Sequence, residues 1–179
     1  PHDSLVIGNV GRLHPDKDQA TLLAGFAKAL PNLPEGVLLA IAGSGPLENS
    51  LKTQATNLGI ADHVRFLGQV PNIRRLFSAF DLFVLSSDHE PFGMVLLEAM
   101  AAGAPVLATD CGGAPEVVAD AEKLFPLRDA SALAGKLTAF FSITRTAGED
   151  LTRVKHHFSD ASARHRFFAL SMVQAILTK

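Results

Sequence analysis

The feature that most limits the fold is an alternation. Short unbroken apolar runs take turns with longer stretches whose apolar residues recur at helical spacing. "LVIGNVG" (5–11), "VLLAIAG" (37–43), "HVRFLG" (63–68), "LFVLSS" (82–87), "PVLATD" (105–110) and the brief "KLFPL" (123–127) read as strands. "DQATLLAGFAKAL" (18–30), "PLENSLKTQATNLG" (46–59), "NIRRLFSAF" (72–80), "GMVLLEAMAAG" (93–103) and "APEVV" (114–118) read as helices, with Pro46 in a first turn and Gly59 and Gly103 as stops. Two or three further helices are expected to close the chain. Strands with continuous hydrophobicity, separated by helices, imply a parallel sheet covered on both faces. The expected fold class is α/β, a doubly wound parallel sheet in one domain.

Composition removes several functions. A length of 179 residues suits one domain with a substantial core, and a 47% hydrophobic content suits a buried sheet. No apolar run reaches about 18 residues, the length of a membrane span. The opening "PHDSLVIGNVG" has neither a basic start nor a cleavage pattern. It leads almost directly into a strand, so we expect a domain cut from a longer protein. A lone cysteine, Cys111, allows no internal disulfide and suits a reducing compartment. Residues 80–123 carry eight acids and one base, whereas the tail from Arg145 carries six bases and three acids. Neither half has a nucleic-acid footprint, and there is no tryptophan or tyrosine to stack on bases.

In a doubly wound fold, ligands bind beyond the carboxyl ends of the strands. The turns there are "GRLHPDKDQ", "GSGP", "GQVPN", "SDHEPFG" and "DCGGAPE". Arg12 and Lys17 follow the first strand. They are either solvent charges or a phosphate grip, a guanidinium fork beside an ammonium point charge. Gly43-Ser44-Gly45 resembles a phosphate loop but lacks the third glycine of a dinucleotide fingerprint, and no lysine of Walker type follows. The pair in "CGGAPE" either approaches phosphates or forms a tight turn. The seven histidines show no metal-ligand spacing with acids or Cys111, and no Asp-x-Asp clamp occurs, so no metal is expected.

The stretch "SSDHEPFGMVLLEAMAAGAPV" (86–106) poses the sharpest question. From Met94 to Ala102 only Glu98 is polar. A helix apolar on all sides belongs in a core, and a bare carboxylate there needs a partner. Glu90 stands at the head of the same helix, stiffened by Pro91 and followed by Gly93. Free amides at Gly93, Met94 and Val95, with the helix dipole, favour an anion such as a diphosphate. Glu98, one turn past Met94, reaches the hydroxyls of an attached sugar. The plainer alternative makes Glu90 a solvated loop acid and Glu98 the exposed stripe of its helix.

Taken in order, "VGRLHPDKD", "IAGSGPLENSLKTQATNLGIADHVRFLGQV" and "SSDHEPFGMVLLEAMAAGAPVLATDCGGAPEVV", with closing helices, resemble the C-terminal, donor-binding domain of retaining GT-B glycosyltransferases, the group 1 or Glu-x7-Glu family. The likeness covers about residues 5–140, with Glu90 and Glu98 as the signature pair. It implies a Rossmann-like donor domain over 1–179, whose N-terminal acceptor domain lies outside this chain. It implies a nucleotide diphospho-sugar donor, UDP- or GDP-linked, no other cofactor, and metal-independent transfer with retention. By the same likeness Arg12 and Lys17 neutralise the diphosphate, and the amides near Phe92, Gly93, Met94 and Val95 complete its cradle. Glu98 binds the ribose, Glu90 the donor sugar, Gln69 and Val70 the base, and Gly43, Ser44 and Gly45 line the wall. Glu90 is the carboxylate placed to be a nucleophile, a role we do not expect of it. The expected partners are the donor and a glycan or lipid-linked acceptor, as in polysaccharide or lipopolysaccharide synthesis. The expected place is the cytoplasm, at the inner membrane face if the basic tail makes peripheral contact. The alternatives are a nucleotide-sugar epimerase of the same architecture and a non-catalytic nucleotide- or sugar-binding module.

Overall fold

The computed structural model describes residues 5–71 and 73–146, with side chains through Ser142. Of the two or three closing helices expected, one, over residues 130–146, is described; the others, and the basic tail past Thr146, lie outside the described residues. Among the described residues six strands, β1 (Val6–Val10), β2 (Leu38–Ala42), β3 (Val64–Gly68), β4 (Leu82–Leu85), β5 (Val106–Thr109) and β6 (Leu124–Phe125), form one sheet in the order β3-β2-β1-β4-β5-β6. Every pairing is parallel. The helices are α1 (Gln19–Ala29), α2 (Glu48–Asn57), α3 (Ile73–Phe77), α4 (Met94–Ala101), α5 (Ala114–Val118) and α6 (Ala130–Thr146).

Successive residues of a strand point to opposite faces, and that rule divides the core in two. Leu39, Ile41, Leu82, Val84 and Leu107 pack with α1, α2 and α6 on one face. Ala40, Phe83, Leu85, Val106 and Ala108 pack with α3, α4 and α5 on the other. Both faces being covered, the strands carry apolar residues throughout; this is the doubly wound parallel sheet that the alternation implied. No helix among the described residues is long and apolar enough to cross a membrane.

Two boundaries differ from expectation for local reasons. Pro46 precedes α2 instead of occupying its first turn, because the Leu47 and Glu48 amides close a turn against Leu13 and Gly45. The helix after Pro71 shortens to α3, and the chain turns at Ala79 and Phe80 to enter β4.

The strand order reverses between β1 and β4. These strands pair over Ile7–Leu82 and Gly8–Phe83 only. One residue further on, the buried Asn9 amide bridges the gap by donating to the Val84 carbonyl at 2.8 Å. The crevice that opens past this point is where a doubly wound sheet receives its ligand.

Candidate functional site

The loop leaving β1 is shaped by its own caps. His14 caps a 3₁₀ turn over Pro15–Lys17 through Nδ1, which accepts from the Asp16 amide. Asp18, at a φ of 40°, caps α1 by accepting from the Thr21 amide. Gln19, fully buried, donates its side-chain amide to the Arg12 carbonyl at 3.0 Å. The turn therefore presents Lys17 toward β4. The loop after β4 meets it there: Asp88 and His89 amides both donate to the Asp16 carbonyl, and the Ser86 hydroxyl donates to the Lys17 carbonyl.

The outcome is an ion pair across the switch point, with Lys17 Nζ 2.6 Å from Glu90 Oε2. Glu90 is 8% exposed. Its Oε2 also accepts from the Ser87 hydroxyl at 3.3 Å, and its Oε1 accepts from the Gly93 amide at 3.2 Å. A carboxylate has about four acceptor positions; three are filled, and one on Oε1 remains. Glu90 is thus not a solvated loop acid. Its main chain is clamped as well, the Gly113 amide donating to the Glu90 carbonyl at 2.9 Å. Gly112, at a φ of 53°, lies so close beneath that an added Cβ would stand 2.0 Å from the same oxygen. Of the two readings of "CGGAPE", the structure selects the tight turn, packed against the Glu90 loop.

Two expectations about α4 need correction. Gly93 is not a free donor, because Glu90 holds its amide. Met94 and Val95, at the first helical positions, keep theirs unpaired among the described residues. Nor is the helix buried all round. Leu96, Leu97, Ala99 and Met100 face the core, whereas Met94, Glu98 and Ala101 form an exposed stripe at helical spacing. Glu98 therefore needs no buried partner. Phe92, 64% exposed, and Met94, 60% exposed, add apolar surface at the head of the helix.

A second group lies across β1. Arg12, Gly43, Ser44, Gln69 and Val70, with Ile73, line an open cavity of about 380 Å³. Gln69 donates to the Ser44 hydroxyl at 3.1 Å. Arg12 is exposed and unpaired among the described residues. Gly43 and Gly45 turn their Cα positions onto the Gly11 and Leu13 carbonyls, at 1.9 and 2.3 Å from an added Cβ. The nearest atoms to those two glycines are therefore backbone of the β1 loop. The site residues thus fall into two clusters, Lys17, Glu90 and the start of α4 on one side and Arg12 with Gln69 on the other, bordering one sheet edge.

Sequence reading missed Ser87, Gln19 and the pair of Arg128 with Asp88. Serine and glutamine at loop and helix starts carry no special pattern. Arg128 follows β6 at a φ of 57°, and its guanidinium is hydrogen-bonded to the Asp88 carboxylate. That bond and the charge of Asp88, with a smaller contribution from Asp18, hold the guanidinium further toward its protonated form.

The family model described as glycosyl transferases group 1 matches residues 1–153. The chain belongs to that family. Among its relatives, the chain is 38% identical over 122 residues to the lipopolysaccharide core biosynthesis glycosyltransferase LpsE of Rhizobium meliloti, covering 68% of this chain and 34% of LpsE. It is 31% identical over 164 residues to the putative glycosyltransferase EpsD of Bacillus subtilis, covering 89% and 43%. Among solved structures, Anabaena HepE in complex with UDP and glucose shares 30% identity and a TM-score of 0.79, over 98% of this chain and 48% of that one. The chain thus spans less than half the length of each of these relatives.

Proposed function

We propose that this chain is the donor-binding half of a glycosyltransferase and takes a UDP-linked sugar. The observation that carries the reading is the Lys17–Glu90 pair at the switch point, beside two unpaired amides at the start of α4. An ammonium held at fixed range and two helix-terminal N–H groups form a ready anion site for a diphosphate. The HepE complexes with UDP and with UDP-glucose support the uridine base over guanosine.

In this reading Lys17 and Arg12 stabilise the leaving diphosphate by fixed charge, so transfer proceeds without a metal. Glu98, on the exposed stripe, accepts two hydrogen bonds from ribose hydroxyls. Gln69 and Val70 hold the base over the cavity beside Ser44. Glu90 offers its remaining Oε1 position to a hydroxyl of the donor sugar. Its other positions are engaged by Lys17, Ser87 and Gly93, which leaves it a poor nucleophile and favours front-face transfer with retention. The acceptor, a glycan or a lipid-linked sugar at the cytoplasmic side, enters through a second domain, and turnover requires that domain.

Calorimetric titration with UDP, GDP, ADP and NAD tests the reading. UDP is expected to bind selectively, with the same affinity in the presence of EDTA; binding of NAD alone, or of no nucleotide, overturns it. Glu98→Gln is expected to weaken UDP binding by about 1–3 kcal/mol, the worth of hydrogen bonds to a charged acceptor. Because Glu98 is exposed, the melting temperature should not move. A shifted melting temperature with unchanged affinity would make Glu98 structural.

A further inference from the structure

Arg128 is held in a way that stability does not explain. Its backbone lies in the left-handed region, which is disfavoured for a residue with a Cβ. Its side chain is 72% exposed, so its pair with Asp88 is screened by water and returns little to the fold. A strained residue that the fold does not repay points to a constraint imposed by the site.

The partner identifies that constraint. Asp88 belongs to the loop that carries Glu90, and its amide is bonded to Asp16, the residue before Lys17. That loop is stitched to the β1 loop by Asp88, His89 and Ser86, and to the β5 loop by Gly113 and by the Cys111 thiol on the Ser87 carbonyl. Arg128 adds a tie from the β6 side. Strands β4 and β6 stand two positions apart in the sheet, roughly 10 Å at the usual spacing. An arginine has the length to cross that width above β5.

We propose that Arg128 is a positioning residue of the donor site: through Asp88 it holds the 86–93 loop, and with it Glu90 and Lys17, in the geometry that receives the diphosphate. The effect on the loop rests on the ion pair alone; the effect on donor binding rests on the nucleotide-sugar reading above.

Arg128→Asn is the informative variant, since asparagine accepts a left-handed backbone without glycine's freedom. Hydrogen exchange on the ligand-free chain is expected to quicken at least threefold at the Asp88, His89 and Gly93 amides, while the melting temperature stays within about 2 °C. Asp88→Asn should give the same acceleration, and the double variant no more than either single one. Exchanging the charges, Arg128→Asp with Asp88→Arg, should restore protection. On the same variants UDP affinity should fall about threefold to tenfold and return in the exchanged pair, as a coupling of this kind requires. Unchanged exchange in Arg128→Asn overturns the proposal, and so does faster exchange with unchanged UDP affinity. Faster exchange in a chain whose wild type binds no UDP supports the tie and overturns the nucleotide reading instead.

Discussion

Gly43→Ala is expected to lower the unfolding free energy by about 3–5 kcal/mol, combining an overpacking cost with a disfavoured backbone. Gly43 has a φ of 136°, and an added Cβ would lie 1.9 Å from the Gly11 oxygen and 2.8 Å from its carbon. Both are main-chain atoms in a segment tied down on either side. The Gly11 amide donates to Ala42, the Leu13 amide to Ser44, and the Leu47 amide to Leu13, at 3.0, 3.0 and 3.2 Å. Relief by local movement would break those bonds. Gly59→Ala is the control. Gly59 also has a positive φ, of 70°, but its Cβ would meet nothing within 4 Å, so it should cost only about 1–2 kcal/mol. Denaturant unfolding of the two variants measures the difference. Equal losses would show that the β1 loop yields, and that its close approach to Gly43 does not fix the position of Arg12.

Gly112 is a candidate for approach to a phosphate and Gly43 for the pocket wall; a neighbouring loop approaches each, and Gly43 also lines the cavity beside Arg12. Gly43 admits the β1 loop, and Gly112 admits the Glu90 carbonyl. These close contacts tie down the β1 loop, which carries Arg12 and Lys17, and the loop that carries Glu90. The glycine-rich turns therefore act on the site through backbone packing.

How much of this was legible in the chain follows from range. The sheet and its helices were readable because each element carries its own pattern: β4 is an unbroken apolar run, β5 is one up to Thr109, and α1 repeats apolar residues at helical spacing. The Glu90-to-Glu98 spacing was local too. The Lys17–Glu90 pair was not, since its members are 73 residues apart and meet only because β1 and β4 are neighbours. Strand order is decided by crossovers and leaves no mark at either residue. The exposed stripe of α4 stood in the sequence as one of two alternatives, undecided for another reason. Met94 and Ala101 are apolar, so the face they share with Glu98 breaks no hydrophobic pattern. Arg128 gave no signal, because its left-handed backbone and its distant partner are both properties of the folded chain.

Lys17→Met carries the second large effect. Methionine keeps much of the lysine stem's packing while removing the cation. Glu90 would then stay in place, 8% exposed, with only the Ser87 hydroxyl and the Gly93 amide as donors. Breaking a fully buried pair by losing one partner costs about 3–5 kcal/mol. The Lys17 side chain is 22% exposed, so water offsets part of this, and about 2–3 kcal/mol is expected for this variant. Glu90→Gln should cost less, about 1 kcal/mol, because the freed ammonium can turn to solvent while the Gly93 amide keeps an acceptor. The double variant should lose less than the sum of the two, since the second change removes a group already unpaired. Binding separates the roles. If the ammonium faces the diphosphate, Lys17→Met should reduce UDP affinity by roughly 100-fold, about 2.7 kcal/mol. Glu90→Gln, which keeps the charge but loosens its anchor, should reduce it by roughly tenfold. Calorimetry on folded samples of both variants reads the two numbers. A destabilised Lys17→Met that binds UDP as well as the wild type would confine Lys17 to neutralising Glu90, and the diphosphate would then depend on Arg12 and the α4 amides alone.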